Sequence, residues 1–256
     1  MNMNICTLNK VGHFALLALS MCVSSHLLAE ALDVPLVSVS DVDKSIIIEM
    51  RYFSNFNFTS RRVPGYEANK CLLIGDAAHA LGEAQHELHA RGLTLKVYDC
   101  YRPQMAVNFF MSWAADIGES SMKLTFYPDV EKSTLVKKGY IAERSGHSRG
   151  DSVDLTLVRL PAAEQPAYDR INQKKCTAPV SERYADNSLD MGTGYDCFDV
   201  LSHTMSLEIK GEAHENRLLL KNVMERHGFS NYKREWWHYT YVSPYGQKEF
   251  YDFPVK

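Results

Sequence analysis

Three short segments of the chain carry side chains that could share one reaction. The first is Ser145-Gly146-His147-Ser148-Arg149-Gly150-Asp151-Ser152-Val153-Asp154, where a His and an Asp stand seven residues apart across a glycine turn. Neutral imidazole and carboxylate are both good zinc ligands at neutral pH. Gly150 lets the backbone turn so that the two can converge. The second is Glu235-Trp236-Trp237-His238-Tyr239, which adds a third possible ligand and, three residues before it, a carboxylate. Residues three apart in a regular strand face opposite ways, so the backbone must turn or bulge if Glu235 and His238 are to meet one metal. The paired Trp residues could wall the site off from water. The third is Tyr98-Asp99-Cys100-Tyr101-Arg102-Pro103, where a strand ends and a helix begins. Loops at such junctions often carry catalytic groups. Arg102 could stabilise an oxyanion or hold a substrate carboxylate, and Asp99 could orient it, or simply close a turn.

Taken singly, each segment also fits a plainer reading. A His and an Asp near a turn are usually hydrogen-bonded or exposed. An aromatic strand can hold a chance Glu and His, and an isolated Arg is most often a surface salt bridge. Together they change the weighting. Two histidines and one carboxylate with an open fourth position form the ligand set of a hydrolytic zinc site. Glu235 can then take the proton of an attacking water, and Arg102 can neutralise the oxyanion that develops.

These residues need elements to position them. Ile46–Phe53 reads as a strand, and residues 55–66 as a loop rich in Asn, Ser, Pro and Gly. Residues 77–90 have helical apolar spacing and stop at Gly92. Residues 93–98 and 152–160 alternate as strands. Pro103 opens a helix that runs to about Ile117. Residues 161–195 are polar and irregular, 212–227 predict a helix closed by Gly228, and 236–242 predict an aromatic strand. Helices and strands mix without regular βαβ spacing, which predicts an α+β fold.

The whole chain has 256 residues, enough for one well-buried domain or two small ones. No repeat and no Pro/Gly/Ser-rich linker divides it. Hydrophobic content of 45%, charged content of 23% and a formal charge of −3 are those of a globular protein. No basic run exceeds two residues, so nucleic acid is excluded as a partner. His79, His86 and His89 lie on one predicted helix and read as its polar face, and His203, His214 and His227 have no partner spacing. There is no H-E-x-x-H, no G-x-S-x-G and no phosphate loop.

The first residues differ from the rest. Lys10 precedes an apolar stretch from Val11 to Val23, and Ala29-Glu30-Ala31 offers an A-x-A exit. This predicts a signal peptide over 1–29, with cleavage near 29–31 and a mature domain over 30–256. The apolar run is short for a bilayer span, so no membrane insertion is expected after cleavage. The expected location is exported, in a periplasm. A mature chain keeps Cys71, Cys100, Cys176 and Cys197, which permits three pairings. Cys176 with Cys197 is favoured, because it closes a polar loop. Buried free thiols remain the alternative.

The segments resemble the D-alanyl-D-alanine dipeptidases of the VanX type, within the wider group of zinc peptidases that cleave D-Ala-D-Ala. That group carries S-x-H-x-x-G-x-A-x-D and a later E-x-x-H. Ser145, His147, Gly150 and Asp154 fit the first motif, and Glu235 and His238 fit the second in its Glu-Trp-Trp-His form. Tyr101-Arg102-Pro103 matches the segment that supplies the catalytic Arg, and Asp190 to Asp196 is similar to a Met-Gly-Thr-x-Phe-Asp element. Asn55 to Thr59 and Gly65-Tyr66 also look like the N-terminal segment of these enzymes. The departures are Ser152, where Ala is usual, and Gly146, where a polar residue is common.

The resemblance implies a single α+β domain whose central, mostly antiparallel sheet is flanked by helices, with the zinc site in a cleft on the sheet. His147, Asp154 and His238 would hold one Zn2+, Glu235 would be the base and Arg102 the oxyanion partner. Ser145 and Asp196 would place a small D,D-dipeptide, Asp196 through its ammonium group. The competing readings are a D,D-carboxypeptidase acting on peptidoglycan stems and a zinc-bearing binding module without catalysis. An open groove would favour the carboxypeptidase, and the segment 161–195 could decide this by covering the cleft. The oligomeric state is not legible.

Overall fold

The structure, a computed structural model, describes residues 36–244, 246 and 248–256. The leader expected over 1–29, its Ala29-Glu30-Ala31 exit, Cys6 and Cys22 lie outside the described residues. In chain order the elements are β1 (Leu36–Ser38), α1 (Val39–Val42), β2 (Ile47–Ile48), β3 (Leu72–Ile74), α2 (Gly75–His89), β4 (Leu93–Asp99), α3 (Gln104–Ala115), α4 (Lys123–Phe126), β5 (Ser152–Arg159), α5 (Gly211–Arg226), β6 (Phe229–Asn231) and β7 (His238–Tyr241).

The central sheet runs β2-β4-β5-β7-β6, and β1 pairs with β3 in a separate ribbon. Only the β2–β4 pairing is parallel; the other three in the central sheet are antiparallel. The α+β expectation therefore holds. The sequence reading of 93–98 and 152–160 as alternating strands needs correction. Every residue of β4 is buried, and so is every residue of β5 except Arg159. Apart from Arg159, the polar residues on these strands are buried rather than solvent-facing, and all but Thr156, whose hydroxyl has no hydrogen-bond partner, are paired. Lys96 reaches Glu49 at 3.1 Å, and also Asp186, Gln165 and Asn187. Three of those partners come from the irregular segment 161–195, which forms neither helix nor strand. That segment is polar because it docks on buried charge, and it also donates Leu189 N–H to the β5 carbonyl of Leu157 at 2.8 Å.

Two strand expectations shorten. Only Ile47 and Ile48 of the 46–53 stretch pair with β4, and Arg51–Phe53 then form a 3₁₀ turn. Arg51 is the cause: its guanidinium is buried against Glu49 at 2.7 Å and Asp186 at 2.6 Å, which pulls the chain off the sheet edge. The aromatic strand begins at His238, not Trp236. Glu235 sits in a turn, its N–H bonded to Tyr232 O at 2.9 Å. Its carbonyl accepts from Asn231 Nδ2 at 3.0 Å and Thr204 Oγ1 at 3.3 Å.

Two disulfides join Cys71 to Cys100 and Cys176 to Cys197, the second being the pair favoured from sequence. No helix among the described residues is long and apolar enough to cross a membrane.

Candidate metal centre and active-site cleft

Strand register builds the site. On β5 and β7, Asp154 stands directly opposite His238, and Asp99 at the end of β4 stands opposite Asp154 from the other side. Three adjacent strands thus bring their side chains to one end of the sheet. His147 arrives from a 3₁₀ turn, Gly146–Arg149, just before β5. Ser145 Oγ caps that turn by accepting the His147 N–H at 3.3 Å. Gly150 closes it at φ +72°, where a Cβ would also meet Leu36 Cδ2 at 2.5 Å. The left-handed backbone is what favours glycine there, and a Cβ would in addition have to displace the end of the Leu36 side chain.

The three expected ligand atoms converge. His147 Nε2 lies 3.0 Å from His238 Nδ1 and 3.2 Å from Asp154 Oδ1, and His238 Nδ1 lies 3.0 Å from the same oxygen. The far nitrogen of His147, Nδ1, donates to the Cys100 carbonyl at 2.6 Å. That bond fixes the tautomer and leaves the Nε2 lone pair pointing into the cluster. Two imidazoles and a carboxylate around one point are the donor chemistry of a zinc-class cation, and the residues present fit one. Burial alone would raise the Asp154 carboxyl. The two histidines outweigh burial and hold it well below the usual carboxylate range.

Glu235 enters the same cleft. The turn demanded by its spacing from His238 is present, with His238 N–H directed at Glu235 O at 3.4 Å. Glu235 Oε2 lies 3.8 Å from His238 Nδ1. Burial pushes its carboxyl up to about 7, the range where a general base works best near neutrality.

Arg102 lies beyond the Cys71–Cys100 bridge. Its backbone N–H bonds to His147 O at 3.2 Å, and its Nη2 stands 3.7 Å from Asp154 Oδ2. Asp99 holds the guanidinium by two atoms, Nε at 2.9 Å and Nη2 at 2.8 Å, and accepts the Tyr66 hydroxyl at 2.6 Å. Of the two sequence readings of Asp99, orienting residue and turn residue, the geometry fits the first. Burial opposes the Arg102 charge, but Asp99 and the neighbouring groups outweigh it, so the guanidinium stays protonated.

Ser145 and Asp196 line the same cleft. Asp196 has a left-handed backbone, φ +56°, a conformation that a short polar side chain tolerates. Burial, reinforced by Asp154, raises its carboxyl well above the usual range, and the Tyr52 hydroxyl donates to it at 2.7 Å.

The walls differ from expectation. Trp236 and Trp237 are buried but do not line the cleft. Trp236 turns away to donate its indole N–H to Thr193 at 2.9 Å. Aromatic rings from distant segments make the wall instead: Tyr52, Phe58, Phe110, Tyr140 and Phe198. The segment 161–195 contributes no lining residue. Residues 139–142, 144 and 145 also line the cleft, whose volume is about 270 Å³. His79, His86 and His89 are exposed on α2, as their polar-face reading required.

Comparison with known proteins bears on this geometry. The family described as D-ala-D-ala dipeptidase matches the chain over residues 33–166 and 175–256, and the unmatched gap falls inside the irregular segment. A D-alanyl-D-alanine dipeptidase of Enterococcus faecium is 34% identical over 208 residues, covering 81% of this chain and 92% of that protein. One of Streptomyces coelicolor is 33% identical over 217 residues, covering 85% and 96%. One of Escherichia coli is 31% identical over 204 residues, covering 80% and 83%.

Proposed function

The chain belongs to the D-ala-D-ala dipeptidase family of metallopeptidases, and on that premise we propose that it hydrolyses the D-alanyl-D-alanine dipeptide to free D-alanine with a zinc ion held by His147, Asp154 and His238. The observation that carries this reading is the convergence of those three side chains, with Glu235 and Arg102, on one small cleft. Zinc bound there would supply Lewis acidity, making water acidic enough to attack at neutral pH.

The chain's own residues do the rest. Glu235 takes a proton from the attacking water as the oxygen bonds to the scissile carbonyl carbon. It then returns that proton to the nitrogen as the C–N bond breaks, leaving two amino acids. Arg102, fixed by Asp99, neutralises the negative oxygen that forms between the two steps. Asp196 accepts the substrate ammonium. A buried carboxyl held above its usual range gains most from a cation placed against it. Ser145, which lines the same cleft, presents its hydroxyl to the dipeptide.

Size supports the dipeptide over the cross-linked stem. A cleft of 270 Å³ is smaller than the roughly 300–1,000 Å³ of sites for drug-sized ligands. The retained Glu235 and Arg102 argue against a binding module, since a structural metal needs neither. Export to a periplasm is part of the proposal. It is supported by the leader pattern and by two disulfides, which persist in oxidising compartments.

The test is release of D-alanine from D-Ala-D-Ala by the purified mature chain, with and without a chelator, beside a peptidoglycan pentapeptide. Chelator-sensitive cleavage of the dipeptide alone supports the reading. Cleavage of the pentapeptide moves it to a carboxypeptidase, and cleavage of neither by zinc-loaded protein overturns it.

A further inference from the structure

The register that sets Asp154 against His238 also sets Ser152 against Thr240, two residues along on the same face. Their hydroxyls meet at 2.9 Å. Ser152 Oγ in turn donates to Asp151 Oδ1 at 3.1 Å, and Thr240 Oγ1 stands 3.5 Å from His238 Nε2, the longest link. Arg149 Nε holds the other oxygen of Asp151 at 2.8 Å. Asp151 and Ser152 are buried, 4% and 0% exposed, while Thr240 and His238 are half-buried.

Counting protons fixes the direction. The Asp151 carboxylate can only accept, so Ser152 spends its single proton on it. Ser152 must then accept from Thr240, and Thr240, its proton spent, can only accept from His238. Every bond in the chain is therefore aligned, which strengthens each of them. The imidazole is left with its proton on Nε2 and its lone pair on Nδ1, facing Asp154 and His147.

We propose that Asp151, Ser152 and Thr240 form a positioning relay that holds His238 in the ligating tautomer, and that Gly146 is the space this relay needs. A Cβ built on Gly146 would meet Ser152 Oγ at 2.5 Å, closer than real contacts allow. The Ser152 hydroxyl therefore occupies the volume that a side chain at 146 would fill. The two positions form a matched pair. The inference rests on the reading of His238 as a metal ligand.

The experiment compares the full mature chain with Ser152→Ala, Thr240→Val, Thr240→Ser and His238→Ala. Zinc affinity is read by competition with a chromophoric chelator, and the His238 Nε2 proton by 1H–15N NMR of zinc-loaded protein. Loss of an outer hydrogen-bond partner typically weakens metal binding by about 10- to 100-fold. Ser152→Ala and Thr240→Val should therefore weaken zinc on the order of tenfold and speed exchange of the Nε2 proton. Thr240→Ser should restore both. Metal-free thermal denaturation of each variant separates this from misfolding. Gly146→Ala should weaken zinc alone and less so when combined with Ser152→Ala. Unchanged affinity and exchange in Ser152→Ala and Thr240→Val, with zinc lost in His238→Ala, would overturn the relay and leave the ligand. Zinc retained in His238→Ala would overturn both.

Discussion

Asp154 on β5 and His238 on β7 are direct cross-strand partners, with Oδ1 and Nδ1 3.0 Å apart. The β-sheet itself, not a loop, therefore sets two of the three candidate metal-ligand atoms. Sheet-borne ligands are held more rigidly than loop-borne ones. His238→Ala and Asp154→Ala should both abolish stoichiometric zinc in the purified protein, measured by atomic emission, while the fold by circular dichroism is kept. Full zinc in either variant would contradict the ligand set.

Asp99 grips Arg102 through two nitrogens and is itself held by Tyr66. Asp99→Asn removes the charge and offers an amide where an acceptor is needed. We expect kcat/KM for D-Ala-D-Ala to fall by about 10- to 100-fold with zinc content unchanged. Arg102→Lys should fare no better, because an ammonium cannot reproduce the planar two-point fork. Steady-state kinetics on zinc-matched protein checks both.

The bridge between Cys71 and Cys100 closes a stretch of 29 residues and anchors the loop that carries Arg102. Crosslinks of this span stabilise by about 3.6 kcal/mol in the chain-entropy account. Cys100 also supplies the carbonyl that accepts from His147 Nδ1. Replacing both cysteines with serine should therefore lower the denaturation midpoint and weaken zinc binding together. A lower midpoint with unchanged zinc affinity would separate the bridge from the site.

Glu87 ties the end of α2 to the end of α5. It pairs with Arg226, with His227 at 3.0 Å and with Arg91 at 2.7 Å. The Arg226 bond first, then His227 and the nearby positive charge, hold its carboxyl down at about 2 against an ordinary 4.5. A depressed folded-state pKa stabilises above the unfolded value, and that stability is lost as pH falls through the folded value. Glu87→Gln should cost less than about 1 kcal/mol at neutral pH, because the group is solvent-screened. The gap between the two proteins should close between about pH 4.5 and 2 in denaturation experiments. A gap constant across that window would rule the pair out as its source.

The chemistry was more legible in the sequence than its walls. His147, Asp154, Glu235 and His238 stand in short segments whose spacing states a geometric demand, and the turn at Glu235 meets it. Helices α2, α3 and α5 begin and end within a few residues of where their apolar spacing and bounding Pro and Gly put them. The cleft lining was not legible. Tyr52, Phe58, Phe110 and Phe198 come from segments far apart in the chain and look like ordinary core residues until the fold assembles them. The buried state of Lys96 and Arg51 was equally hidden. Alternation reports a strand's period but not what covers its polar face, and here a distant irregular segment supplies the counter-charges. Tyr52 carried a signal in hindsight: it sits next to a buried Arg in a stretch that cannot stay on the sheet edge.

The central claim is that Glu235 moves the proton while His147, Asp154 and His238 hold the metal. Turnover of D-Ala-D-Ala by Glu235→Gln, on protein whose zinc content matches the parent, tests it most directly. The account predicts a full complement of zinc with kcat reduced by at least about 100-fold, the scale of a lost general base. Near-parental kcat in that zinc-replete variant would contradict it.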